Sequence, residues 1–252
     1  MLKALKARIQ QKYRTVPFPK GKGVVPPLLR AKPEIKSAKC SHCGKCADAC
    51  PTQALALQQN GPTIDAGLCL FCGECAAVCP SKAITFTNDF RLAANSKDAL
   101  VFPSGHKLAQ PLKPELLKLF ARSLKLRQVS AGGCGACEAD TNVLSTVVFD
   151  LARFGVQFVA SPRHADGLLI TGPVTKNMES ALLDTYNALP EPKIVIAVGA
   201  CAISGGMFCG HNETAGIPGN IPVSLYVPGC PPHPLTILDG ILRLLGQMPR
   251  GR

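Results

Sequence analysis

Thirteen of the 252 residues are cysteines, and eight of them fall in two short runs with the same spacing. The first run, CSHCGKCADACP, begins at Cys40, and the second run, CLFCGECAAVCP, begins at Cys69. Each has the pattern C-x2-C-x2-C-x3-C and ends in proline. Thiolates are soft ligands that suit zinc and iron–sulfur clusters, and cysteines also form disulfides. The runs therefore raise three alternatives: a disulfide staple, zinc sites or redox clusters.

The spacing within each run favours redox clusters. Zinc is usually held by two separated C-x2-C pairs, whereas each run here has three closely spaced cysteines and a fourth followed by proline. In two-cluster bacterial ferredoxins, which this stretch resembles, the fourth cysteine of each run binds the cluster of the other run. We therefore predict two [4Fe–4S] clusters with exchanged fourth ligands. The first site takes Cys40, Cys43, Cys46 and Cys79, and the second site takes Cys69, Cys72, Cys75 and Cys50.

Composition and hydropathy favour a reducing compartment for this chemistry. The cysteine content is below the roughly 8–10% that is typical of a disulfide scaffold. Residues 1–20 have no continuous apolar stretch like that of a secretory signal, and no apolar run reaches the roughly 18 residues that span a bilayer. Apolar residues make up 46% of the chain, enough for a buried core. We therefore expect a cytoplasmic chain whose cysteines bind metal.

Four further cysteines follow predicted strands in the second half of the chain. Cys134 and Cys137 come after RQVS, Cys201 comes after KIVIAVG, and Cys230 comes after SLYVPG. In an open parallel sheet the carboxyl ends of the strands share one edge, and ligands bind there. We predict that these four thiols, the third site, meet at that edge and hold a third [4Fe–4S] cluster. The alternative is that some of them are ordinary buried cysteines.

The elements that must position these thiols follow from the hydropathy pattern. From residue 125, runs of Val, Ile and Leu alternate with amphipathic patterns, among them TNVLSTVVFDLARFG, MESALLDTYNAL and PLTILDGILRLLG. This alternation predicts βαβ units and a mostly parallel sheet with helices on both faces. The chain then divides into a basic extended arm (1–36), an α+β dicluster ferredoxin module (37–87), a connector (88–124) and an α/β domain (125–252).

The α/β domain resembles the 20 kDa-type subunit shared by complex I and the membrane-bound group 4 [NiFe] hydrogenases. The resemblance covers about residues 125–248 and rests on SAGGCGACE, DLARFGVQFVASPRHADGLLITGPVT, PEPKIVIAVGACAISGGMF and IPVSLYVPGCPPHP. It implies a flavodoxin-like sheet with one [4Fe–4S] cluster facing a large subunit, held by Cys134, Cys137, Cys201 and Cys230. The complex I subunit has adjacent cysteines at the first ligand pair, so the C-x2-C spacing here is similar to the hydrogenase branch. Sulfur-reducing respiratory relatives with the same spacing are the alternative.

Three polar residues beside the third-site motifs are candidates for a supporting role. Glu138 is interpreted either as a proton-relay or hydrogen-bonding group or as an acid that stabilises a helix N-terminus. Arg163 and His164 follow a predicted strand, so they are either neighbours of the third cluster or members of a salt-bridged turn. Cys209 has no assigned role and is interpreted as a spare thiol.

The net charge of +12 is concentrated at the front of the chain, where residues 1–36 contain ten Lys or Arg and one acid. Leu2, Leu5 and Ile9 would form a short apolar stripe on a basic helix. The arm is interpreted as a solvated tail or as a docking segment for an acidic partner or an anionic membrane. Nucleic acid is the least favoured partner, because no motif for it is present.

These observations predict an electron-transfer chain that has no catalytic residues of its own. The sequence shows no phosphate-binding glycine motif, no cysteine pairs for a nickel–iron centre and no Ser–His–Asp set. The resemblance implies a peripheral subunit on the cytoplasmic side of a membrane, held by other membrane-complex subunits. Its partners would be a [NiFe] large subunit, or a complex I 49 kDa-like subunit, and a ferredoxin or other redox donor or acceptor. The remaining alternatives are a quinone- or sulfur-reducing complex, a free-standing ferredoxin-like carrier and, more distantly, a zinc-binding structural protein.

Overall fold

The computed structural model describes residues 2–21, 23–214 and 216–249. The helices are α1 (Leu2–Gln11), α2 (Lys45–Asp48), α3 (Glu74–Ala77), α4 (Pro114–Phe120), α5 (Ala136–Val143), α6 (Lys176–Asn187), α7 (Ala200–Ser204) and α8 (Pro234–Leu244). The strands are β1 (Pro33–Ile35), β2 (Leu55–Gln58), β3 (Gly61–Asp65), β4 (Ile84–Phe86), β5 (Val101–Phe102), β6 (Leu124–Ser130), β7 (Val156–Phe158), β8 (Gly167–Thr171), β9 (Ile194–Val198) and β10 (Leu225–Val227). No helix within these described ranges is long and apolar enough to cross a bilayer.

The two cysteine runs lie in a small antiparallel module. Strand β1 pairs with β4, and β2, β3 and β5 form a second antiparallel sheet. The short helices α2 and α3 occupy equivalent places in the two copies. Each begins after a glycine, Gly44 or Gly73, that has a left-handed backbone conformation (φ 77° and 87°), which glycine adopts without a steric penalty. The local sequence repeat is therefore also a structural repeat.

A five-stranded parallel sheet forms the second half of the chain, as the alternating pattern predicts. Its strand order is β10-β9-β8-β6-β7, and every neighbouring pair is parallel. Strands β8 and β9 are buried along their whole length, which explains their unbroken Val, Ile and Leu content. The α/β class of this domain is confirmed.

Helices cover both faces of this sheet. On one face Leu169, Ile196 and Val227 share a core with α8, all of whose residues are buried. On the other face Ile170 and Val195 pack with Leu182 of α6. The β-to-helix loops at the carboxyl ends of the strands stay outside these two cores, so they are available for a functional site.

One predicted helix is much shorter than its pattern suggests. The apolar periodicity of residues 141–155 continues well beyond the end of α5 at Val143. The chain turns instead, Asp150 adopts a left-handed conformation (φ 49°), and a single 3-10 turn at Leu151–Phe154 leads into β7. A left-handed residue cannot continue an α-helix, so no single helix can span residues 141–155.

The arm and the connector pack more closely than their composition suggests. Phe18 is only 6% exposed, and its ring lies edge-to-face on that of Phe90 with centroids 5.6 Å apart. Arg153 donates hydrogen bonds to the carbonyl oxygens of Val16 and Phe18. The expectation that the whole arm is an unpacked extension is therefore wrong for these residues. The domain boundaries at 36 and 124 stay predictions, since β1 precedes the first boundary and β5 extends the β2–β3 sheet.

Candidate iron–sulfur sites

The thiols of the first site line one cavity. Three of them come from the first run, and the fourth, Cys79, comes from the end of the second run. Cys46 is buried on α2, which begins directly after Gly44. The structure therefore brings together the four side chains that the spacing predicts for this site.

The thiols of the second site line a separate cavity. Here Cys69, Cys72 and Cys75 come from the second run, while Cys50 reaches over from the end of the first run. Each cavity thus takes its fourth thiol from the other run, in the arrangement that the ferredoxin-like spacing predicts. Ligation itself stays a prediction.

Backbone amides point at sulfur atoms in equivalent places of the two copies. The amide of His42 donates to Sγ of Cys40 at 3.4 Å, and the amide of Phe71 donates to Sγ of Cys69 at 3.3 Å. Both amides belong to residues with positive φ (52° and 55°), so the loop curls around the sulfur atom. Amide hydrogen bonds stabilise negative charge on sulfur and tune the potential of a bound cluster.

Burial makes these thiols costly to ionise unless a cation binds them. Burial, with a smaller contribution from the charges of neighbouring cysteines, raises the pKa of Cys69 to about 12. Burial likewise raises the pKa of Cys75 to about 11, again with contributions from other cysteines. Thiolates crowded into an apolar site need a positive group between them. The donor set therefore fits iron, since iron binding displaces the thiol protons.

The third-site thiols also share one neighbourhood. Cys137 is on α5, Cys201 is on α7 after β9, and Cys134 and Cys230 are exposed in the loops after β6 and β10. Burial, with smaller contributions from the charges of Glu138 and of the other three thiols, raises the pKa of Cys137 to about 12. The thiols therefore lie within electrostatic reach of one another, at the edge where the sequence places them.

Glycines leave room for the sulfur atoms of the third site. A Cβ on Gly199 would lie 2.5 Å from Sγ of Cys137, and one on Gly206 would lie 3.0 Å from Sγ of Cys201. Both glycines also have positive φ, so a side chain would be strained as well as crowded. The backbone is shaped around the thiols in a way that fits a bulky group bound at this edge.

The donor sets of the two ferredoxin-type sites consist of thiols. The eight thiols of the two runs line two cavities, four thiols to each. Four thiolates are the donor set that binds a [4Fe–4S] cluster.

Glu138 is anchored in the first turn of α5 by two hydroxyl groups. Ser130 and Thr171 both donate to its Oε1 atom, the latter at 2.6 Å. Burial alone would raise the pKa of Glu138, but these hydrogen bonds lower it below the usual value. The side chain is therefore held as a carboxylate beside the first cysteine pair. Both interpretations of Glu138 remain open.

Arg163 and His164 do not reach the third site. They lie on a single 3-10 turn at Pro162–His164. Two residues later, Asp166 exchanges hydrogen bonds with the backbone of Lys125, at the amino end of β6, whereas the third site follows the carboxyl end of that strand. The expectation that they neighbour the third cluster is corrected accordingly. The crossover from β7 to β8 returns the chain to the start of the sheet, and this explains their position.

Arg30 is a residue of the second site that sequence reasoning misses. Its Nε atom donates to the carbonyl oxygen of Phe71 at 3.1 Å, next to Cys72. Its side chain also covers Gly73, since a Cβ there would lie 3.2 Å from Cδ of Arg30. Arg30 lies far before the second run in the sequence, so no local motif points to it.

A ferredoxin-type module joined to an α/β domain, with thiols gathered in three places, defines an iron–sulfur protein. Comparison with known families gives the same picture. The family described as NADH ubiquinone oxidoreductase, 20 Kd subunit matches residues 134–244, which include all four third-site cysteines. The 4Fe-4S dicluster domain matches residues 39–83, which include both runs.

Curated proteins with similar sequences include subunits of hydrogenases and of NADH-quinone oxidoreductase. Formate hydrogenlyase subunit 7 of Escherichia coli (strain K12) is 44% identical over 141 residues, 54% of either chain. The probable membrane-bound hydrogenase subunit mbhJ of Pyrococcus furiosus is 42% identical over 53% of this chain and 81% of the relative. An NADH-quinone oxidoreductase subunit of Geotalea daltonii is 44% identical over 48% of this chain and 71% of the relative. The matches thus span about half of this chain and about half of the formate hydrogenlyase subunit.

Among solved structures, a chain of the archaeal membrane-bound sulfane sulfur reductase, a respiratory membrane complex, is 32% identical. The match covers 56% of this chain and 78% of that chain, with a TM-score of 0.45. On the sequence relatives and the two family matches, the chain belongs to the 20 kDa subunit family of complex I and related hydrogenases, joined here to a 4Fe-4S dicluster domain. It is an iron–sulfur subunit of this class of oxidoreductase complexes.

Proposed function

We propose that the chain is the electron-transfer subunit of a membrane-bound [NiFe] hydrogenase complex and holds three [4Fe–4S] clusters. The observation that carries this proposal is the gathering of twelve cysteines into three sets of four. The first set is Cys40, Cys43, Cys46 and Cys79, the second is Cys50, Cys69, Cys72 and Cys75, and the third is Cys134, Cys137, Cys201 and Cys230. When bound, such clusters supply one-electron transfer, at potentials between about −700 and +450 mV.

The chain's own contribution is to hold and separate the three sites. Two sites share the antiparallel module, and the third lies in a domain whose strand order, 2-1-3-4-5 when counted from β6, supports a flavodoxin-like fold. Among the described residues we assign no substrate-converting group. The reaction, H⁺/H2 interconversion, is proposed for a partner large subunit that carries the [NiFe] centre.

The third site is open to such a partner. Cys134 and Cys230 are exposed, as are Met207 (68%) and Phe208 (50%) in the turn after α7. Exposed thiols beside exposed apolar side chains are what a covering subunit would bury. A cytoplasmic, peripheral position held by other membrane-complex subunits is part of the same proposal.

The C-x2-C spacing of Cys134 and Cys137 and the hydrogenase-named relatives favour hydrogenase over complex I. The second candidate is the equivalent subunit of a quinone- or sulfur-reducing complex with a complex I 49 kDa-like partner, favoured by the relatives named as NADH-quinone oxidoreductase subunits. Ferredoxin, or another redox protein, is the proposed external donor or acceptor.

Purification of the chain with its bound subunits tests the proposal. A hydrogenase complex should contain nickel, should evolve H2 from a low-potential donor, and should carry about twelve iron atoms in this chain. A complex with the iron but without nickel or H2 activity would establish the second candidate. A stable monomer with no bound subunits would instead support a free-standing carrier.

A further inference from the structure

A cavity of about 420 Å³, open to solvent, lies between the second and third sites. Cys72 of the second site lines one wall, and Cys230 of the third site lines another. Leu29 and Arg30, from the arm that precedes the ferredoxin module, also line it. The cavity therefore marks where the module and the α/β domain bring two cysteine sites together.

Contacts between the two domains are made on the side of the second site. The hydroxyl of Ser204, on α7, donates to the carbonyl oxygen of Gly67 at 2.8 Å. A Cβ on Gly67 would lie 2.9 Å from the side chain of Ile203. Gly67 is two residues before Cys69, and Ile203 is two residues after Cys201. Second-site and third-site loops are thus packed directly against each other.

The first site lies on the far side of the second. Its cavity is lined by residues between 40 and 84, all from the ferredoxin module. Helix α2, which carries Cys46 of the first site, packs against α3, which carries Cys75 of the second site. The order of the sites in space is therefore first, second and third.

Arg30 lies in the gap between the second and third sites and is held there by the backbone. The neighbouring residue, Ala31, donates its amide to the carbonyl oxygen of Thr87 at 2.8 Å. The Arg30 side chain bonds the Phe71 carbonyl and covers Gly73, the two residues on either side of Cys72. None of the ion pairs among the described residues includes Arg30. Its positive charge is therefore not neutralised by a carboxylate in such a pair.

We propose that Arg30 is a positioning residue that fixes the Phe71–Gly73 loop and raises the reduction potential of the second-site cluster, the neighbour of the third. This inference rests on the proposed ligation of the three sites but not on the identity of any partner. Reduction adds an electron to an already anionic cluster, and a nearby cation stabilises that added charge. The effect weakens with ionic strength, because Arg30 is exposed and a surface charge is screened by salt.

The test is a reductive titration of the full chain, loaded with iron and sulfide, with dithionite and mediators, followed by electron paramagnetic resonance. Arg30→Gln should shift the midpoint potential of one cluster to more negative values by more than it shifts the other two, and the shift should shrink at high salt. Arg30→Lys keeps the charge and should retain a near wild-type potential. Arg122→Gln, which removes an exposed charge near the amino end of β6, is the matched control and should leave all three potentials unchanged.

The same titration tests the order of the sites. Two paramagnetic clusters that lie close together broaden each other's signals. The third-site signal should therefore broaden as the cluster shifted by Arg30→Gln becomes reduced. The proposal is overturned if the third-site signal broadens with the reduction of a cluster other than the one that Arg30→Gln shifts most. It is also overturned if the Gln and Lys variants have equal potentials or lose equal amounts of iron. Failure of the three-cluster proposal itself would show separately, as too little iron in the unaltered chain.

Discussion

The position of Cys50, a first-run residue at the second site, predicts how much iron variants with two substituted cysteines should retain. The structure places Cys50 in the second-site cavity with Cys69, Cys72 and Cys75, although Cys50 belongs to the first run. A chain with three [4Fe–4S] clusters holds about twelve iron atoms. Cys50→Ala removes one of four second-site ligands, so the purified variant should hold about eight.

The double variants distinguish whether Cys50 binds at the second site or at the site of its own run. Cys50→Ala combined with Cys72→Ala removes two ligands of the same site, so the iron content should stay near about eight atoms. Cys50→Ala combined with Cys43→Ala removes ligands of two different sites, so the content should fall to about four. Iron and acid-labile sulfide, assayed per chain, give both numbers. Cys209→Ala, a change at an exposed thiol with no assigned ligand role, is the control and should retain about twelve.

A reversed pattern would refute the exchange. If Cys50 bound the cluster of its own run, the Cys50/Cys43 pair would behave as one site and the Cys50/Cys72 pair as two. Near-ultraviolet circular dichroism on each variant would separate local cluster loss from collapse of the module, because collapse would remove about eight iron atoms in every single variant.

Three further predictions concern the rest of the fold. Gly199→Ala should lose the proposed third cluster, about four iron atoms, because the added Cβ meets Sγ of Cys137; Gly210→Ala, which also has positive φ but open space, should retain it. Asp239→Ala removes the buried partner of Arg243, whose Nε donates to it at 2.7 Å, and should cost about 3–5 kcal/mol in urea denaturation. Burial lowers the pKa of His106 below 6.5, so stability should fall as pH drops below 6.5, and His106→Gln should flatten that dependence.

The repeated module could be predicted from the sequence almost in full. Its information is local, since each run carries its own spacing, proline and loop glycine, and Gly44 and Gly73 occupy equivalent left-handed positions. The exchange of the fourth cysteines was predictable from the resemblance to two-cluster ferredoxins, in which the fourth cysteine of each run binds the cluster of the other run.

Contacts between residues that are far apart in the sequence could not be predicted from local patterns. The basic composition of the arm suggests an extended tail, yet Phe18 is buried and Arg30 reaches the second site. Neither contact leaves a periodic signal, because each depends on a single side chain meeting residues far along the chain. The expectation that Arg163 and His164 neighbour the third site was wrong for a related reason. The sequence shows that a strand has ended but not that the next connection returns to the opposite edge of the sheet.

The third site shows how a fold rule can substitute for a motif. No spacing relates Cys137 to Cys201 or Cys230, and the sequence groups them only through the rule that parallel strands share a carboxyl edge. The rule brings the loops together but says nothing about distances within them. Those depend on backbone details such as Gly199, whose missing Cβ leaves the space occupied by Sγ of Cys137. A site of this kind can therefore be located from a strand pattern, whereas its capacity to hold a cluster depends on residues that carry no metal-binding chemistry.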